Sequence, residues 1–121
     1  MQANKIQQLL SRLGKEDKEI TGSVVFNITT GKALASTFPK AYVKKTVKIE
    51  QLIADLEKNR IMKLDPAGSK NWAMYSFNKK IVVTVRTKKD IFTSLEYEIE
   101  KPPSGAIEDA LEVALMVNEL L

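Results

Sequence analysis

The sequence predicts an α/β protein, an α+β sandwich with the element order α-β-β-α-β-β-β-α. Three observations predict it. Residues 71–99 read as three consecutive strands divided by short polar turns, and residues 23–38 read as a hairpin. The stretches before, between and after them space their apolar residues as helices do. A sheet of this size cannot cover its own faces, so the helices must do so.

Ile6, Leu9, Leu10 and Leu13 fall at i, i+3, i+4 and i+7, one narrow stripe on a short first helix. Gly14 stands where a C-cap glycine is expected, and residues 15–19 make a charged connection. The hairpin strands are Ser23–Ile28 and Lys32–Phe38, with Thr29, Thr30 and Gly31 as their turn. Gly22 permits a bend or a close backbone approach, and Pro39 ends the second strand.

Residues 43–61 form the longest helical run. Ile49, Leu52, Ile53 and Leu56 make the stripe expected on the sheet, and a weaker one runs through Val43, Val47, Ala54 and Ile61. The weaker stripe is either ordinary partial exposure or a surface covered by a second subunit. Residues 64–68, with Pro66 and Gly68, are a loop. The meander follows: strands 71–77, 81–86 and 91–99, with turns at 78–80 and 87–90. The last helix opens after Pro102 and Pro103 with Ser104 as N-cap and Glu108 and Asp109 in its first turn. Its apolar arc is wide, from Ile107 to Leu121, which predicts a helix nearly surrounded by protein between the sheet and the first helix.

Length and composition set limits. A chain of 121 residues is expected to be one domain, 1–121. It has no cysteine, no apolar run long enough for a membrane span, and no signal-peptide core near Met1. A soluble cytoplasmic protein is the expectation. Histidine is absent, which removes the commonest general base and every His-based metal site. Gly31 and Lys32 are followed by Ala33, so no phosphate-binding loop of the G-x-x-x-x-G-K-[ST] kind is present. Exposed glutamates at alternate strand positions read as a solvated face rather than as a carboxylate pair. The expected protein is no enzyme and carries no cofactor or metal; its function is binding.

Charge is unevenly placed along the chain. Residues 1–89 carry 18 Lys/Arg against 7 Asp/Glu, and residues 90–121 carry 1 against 8. Two readings follow. Glu96, Glu98 and Glu100 face Lys79, Lys80 and Arg86 across the sheet, or the basic residues form a face for an acidic partner.

Three stretches resemble the Roadblock / dynein light chain 7 domain family, and its order of elements is the same. Residues 20–36 look like the family's opening hairpin, a Gly, an apolar strand, a polar turn with Gly and a small-residue strand. Leu64, Asp65 and Pro66 followed by 72–77 are similar to the lead into its third strand, and 110–121 to its closing helix. Two features depart from the pattern: Glu96 and Glu98 sit in the fifth strand, and basic residues are dense around the last two turns. The resemblance implies a five-stranded, mainly antiparallel sheet with one helix on one face and two on the other. It implies a homodimer, or a heterodimer with a related Roadblock protein, whose third strands pair edge to edge with the second helices side by side. In this chain that assigns Trp72, Met74 and Tyr75 to the dimer edge and Val43, Val47, Ala54 and Ile61 to the helix contact. An apolar end strand without proline independently tends to find a partner; the competing placement puts Trp72 and Met74 in the monomer core.

The resemblance further implies a non-catalytic module that binds and regulates or scaffolds a small Ras-like GTPase. GTPase activation is possible for such a module by ordering the switch loops. Candidate partner contacts are Lys44, Lys45, Lys48, Gln51 and Arg60, with Arg60 nearest to where an arginine finger would sit. The alternative is a nucleic-acid-binding module that uses the basic turns at Lys79–Lys80 and 86–89, with Trp72, Tyr75, Phe77, Phe92 and Tyr97 as stacking rings. It is the weaker reading, because no glycine-flanked aromatic motif accompanies those rings.

Overall fold

The computed structural model describes residues 3–38, 43–45, 47–48, 72–77, 80–98 and 103–121, with 72–77 and 103–104 described by backbone alone. Helix α1 spans Ala3–Glu16 and buries Ile6, Leu9 and Leu10, the predicted stripe, against the first two strands. The helix runs two residues past Gly14, which therefore lies within its last turn and is not the expected cap. A Cβ at Gly14 would meet nothing within 4 Å. Gly14→Ala is accordingly expected to stabilise the protein by about 0.8–1 kcal/mol through helix propensity alone, read as a rise of a few degrees in Tm.

The strands are β1 (Ile20–Asn27), β2 (Ala33–Ser36), β3 (Trp72–Phe77), β4 (Lys80–Lys88) and β5 (Ile91–Glu98), in the antiparallel order β2-β1-β5-β4-β3. The β1–β2 turn is built by Asn27, whose side-chain Oδ1 accepts from the backbone N–H of Thr29 and Thr30. Gly31 closes that turn with φ 74°, a left-handed conformation that glycine adopts without steric cost. The β4–β5 turn is shorter than the predicted 87–90. β4 continues through a bulge after Arg86, held by a 2.7 Å hydroxyl pair between Thr87 and Thr93, and leaves Lys89 and Asp90 as the turn. On the outer side of β2, the Gln7 side-chain amide donates to Ser36 O and accepts from Ser36 N–H, both at 2.9 Å.

Alternation along the strands splits the core into two layers. On one face Val25, Val83, Val85, Leu95 and Tyr97 meet α1 and helix α2 (Pro103–Leu120). On the other, Val24 and Phe26 pack with Val47, flanked by Ile28, Phe38, Val43 and Phe92. A helical segment, described at 43–45 and 47–48, thus covers the face opposite α1 and α2. Val43 and Val47, from the weaker of the two predicted stripes, meet the sheet. Ile49, Leu52, Ile53 and Leu56 lie outside the described residues.

Helix α2 also differs from expectation. It seats Ala106, Ala110, Val113, Ala114 and Val117 on β4 and β5, small side chains that let the helix approach closely. The rest of its apolar arc is open: Leu115 is 65% exposed, and Leu111, Met116 and Leu121 about two-fifths. One tight small-residue stripe suffices to dock it, so the helix is not wrapped by protein over its full apolar arc.

Candidate functional site

The sheet face under the helical segment carries the polar and charged chemistry of the chain. Neighbouring strands β4 and β5 pair Thr84 with Ser94 on this face through a buried 2.7 Å hydroxyl contact. Glu96 is buried, and its carboxylate accepts a 2.8 Å hydrogen bond from the Thr21 hydroxyl. Lys80 and Glu98, directly opposite in the register, form an ion pair. Arg86 lies 5.3 Å over the Phe92 ring, and Phe92 stacks on Phe26 with centroids 6.0 Å apart. Among the described residues, Lys80–Glu98 is the predicted cross-sheet pair that forms. Glu96 turns to a hydroxyl donor and Arg86 to a ring, while Lys79 and Glu100 lie outside the described residues.

At one end of this face lies a groove of about 360 Å³ lined by Thr30, Gly31, Lys44, Lys45, Val47 and Lys48. Val47 is its buried floor, and the three lysines are exposed. Lys44, Lys45 and Lys48 were expected at a partner surface, and the fold gathers them around one opening. Sequence reasoning missed Thr30 and Gly31, since the turn meets the helical segment only through the packing of Val47 on Val24 and Phe26. Gln51 and Arg60 lie outside the described residues. The other two arginines are engaged: Arg12 pairs with Glu16 along α1, and Arg86 covers Phe92.

The residues assigned to a dimer divide three ways. Trp72, Met74 and Tyr75 lie on β3, the last strand of the sheet, whose described partner is β4; their side chains lie outside the description. Val47 is buried on the protein's own sheet with Val24 and Phe26, and Val43 is half-buried against the same layer. Ala54 and Ile61 lie outside the described residues.

Two rings offered for base stacking are also spent. Tyr97 is wholly buried among α1, α2 and the sheet, where burial and then Asp109, Asp17 and Glu19 push its phenol well above its ordinary value. Phe92 is held between Phe26 and Arg86. Among the described residues no cluster of three or more metal-ligating side chains occurs, and no helix is long and apolar enough to cross a membrane.

No family model matches the chain, and no curated protein matches it by sequence. Solved structures do match. A Roadblock/LC7 domain from Streptomyces avermitilis superposes with a TM-score of 0.79 at 9% identity, over 93% of this chain and 94% of that one. The gliding protein MglB of Thermus thermophilus gives 0.74 at 12% identity, over 98% and 87%. An MglB in a tetrameric arrangement gives 0.72 at 10% identity, over 98% and 89%. At such identities the likeness is one of backbone architecture: this chain has the mixed α/β, antiparallel-sheet fold of the Roadblock/LC7 domains that its sequence resembles.

Proposed function

We propose that residues 1–121 form a single cytoplasmic domain, a non-catalytic dimeric module that binds a small Ras-like GTPase and regulates or scaffolds it. The observation that carries this reading is the place of β3. It is the end strand of a sheet with the Roadblock/LC7 fold, six residues long, apolar and free of proline. An edge of that kind leaves a row of backbone donors and acceptors for another strand. Trp72, Met74 and Tyr75 then mark the dimer edge, and Ala54 and Ile61 the helix contact. The likeness to MglB, one example of which is tetrameric, supports an assembling role. A module of this type acts on a GTPase by ordering its switch loops, which asks for a shaped surface and no catalytic side chain.

Sedimentation and capture test it together. The wild-type chain is expected to sediment at twice its 13.6 kDa mass, and Tyr75→Lys, which puts a charge on the edge, to weaken the dimer at least about tenfold with unchanged circular dichroism. The tagged dimer is expected to retain a Ras-like GTPase from lysate in one nucleotide state and not the other. A wild-type monomer that retains no GTPase in either state defeats the proposal.

A further inference from the structure

We propose that the groove between the β1–β2 turn and the helical segment described at 43–45 and 47–48 receives an acidic segment of the protein partner, anchored by Lys44, Lys45 and Lys48. This rests on the reading of the chain as a protein-binding module.

The first argument is electrostatic. Lys44 and Lys48 are four apart on a helical segment, an arrangement of like charges that is unfavourable unless an anion relieves it. Among the described residues the ion pairs are Arg12–Glu16 and Lys80–Glu98, so no carboxylate there neutralises the three groove lysines. The neighbouring turns add charge of the same sign. Lys32 follows Gly31, and the β4–β5 turn with Lys88 and Lys89 is tied to the β1–β2 turn by a 2.9 Å bond from Ile28 N–H to Asp90 O. Asp90 is the single acidic residue among residues 86–90 and 28–32. A field this one-sided raises the arrival rate of an acidic partner.

The second argument selects a protein segment over a small anion. A site for one phosphate needs fixed donors that converge on it, usually backbone N–H groups in a turn. In this turn those donors are spent. The N–H groups of Thr29 and Thr30 go to Asn27 Oδ1, that of Gly31 to Asn27 O, and that of Lys32 to the Thr30 hydroxyl. What faces the opening is three ammonium groups on flexible stems over the Val47 floor. Compact mobile charges of this kind suit several carboxylates spread along a chain, not a single rigid group.

Titration of the 121-residue chain with a short polyglutamate peptide tests the groove directly. The peptide is expected to bind, to shift the amide signals of Thr30 and Gly31, and to weaken as salt is added. The Lys44→Glu/Lys45→Glu/Lys48→Glu variant is expected to lose at least about tenfold in peptide affinity with its oligomeric state unchanged, and the corresponding Gln variant to fall between. Equal binding by wild type and triple variant overturns the proposal. So does tighter binding of inorganic phosphate, or of a polyuridylate oligonucleotide, than of the peptide. Peptide binding at the groove in a chain that captures no GTPase supports the groove and defeats the GTPase reading; GTPase capture unaffected by the triple substitution overturns the groove alone.

Discussion

Phe26→Ala is expected to lower the free energy of unfolding by about 3–5 kcal/mol, the range for emptying a buried aromatic site. Phe26 is fully buried, stacks on Phe92 and touches the layer that contains Val24 and Val47. Among the described residues its buried neighbours in that layer are Val24 and Val47, both β-branched and stiff at χ1, which limits their collapse into the hole. Domains of this size hold only about 5–15 kcal/mol in all. The loss therefore removes a large part of the total and should appear in urea denaturation as a lower midpoint with an unchanged slope. Because Val47 is also the floor of the lysine groove, binding of polyglutamate should weaken in the same variant even under conditions where it is folded. A cost below about 1 kcal/mol would show that the layer does not depend on this ring.

Gly22→Val is expected to cost about 2–3 kcal/mol, by overpacking rather than by loss of contact. A Cβ at Gly22 would sit 2.0 Å from Cε1 of Phe38, with Cδ1 and Cζ at 2.6 and 2.7 Å, so the ring must leave its place. Phe38 packs on the Val24–Phe26 layer, and its backbone N–H is held by the Ser36 hydroxyl at 2.9 Å. The ring therefore leaves only by giving up its packing on that layer. A double-mutant cycle isolates the cause: in a Phe38→Ala background the cost of Gly22→Ala should shrink by about 1 kcal/mol or more. Equal costs in both backgrounds would place the penalty in the backbone of β1 instead.

Much of the fold was legible because its signals are local. The β-branched run at 81–86, the polar turn before Gly31 and the stripe through Ile6, Leu9, Leu10 and Leu13 each state their own structure. What was not legible depends on neighbours. A glycine after an apolar stripe looks the same whether it caps the helix or is passed through, as Gly14 is. Spacing marked the stripe of Val43 and Val47 as the weaker one, and only their contact with the Val24–Phe26 layer turns these two residues onto the sheet. Glu96 read as a solvated strand residue because its partner, Thr21, is 75 positions away. The candidate groove was half visible: its lysines stood together in the sequence, but the turn that forms its other wall reaches them only through the packing of the sheet face. The apolar width of α2 misled for the opposite reason, since hydrophobicity reports what is able to be buried and not how much of it is.

The side-chain amide of Gln7, bonded both ways to Ser36, has a consequence for growth. It mimics one residue of a neighbouring strand and so stoppers the β2 margin, already only four residues long. Of the two outer strands among the described residues, that leaves β3 as the one the proposed dimer uses. A pairing that uses one end of each sheet stops after a single partner has joined, so the proposed dimer closes on itself and does not extend into ribbons.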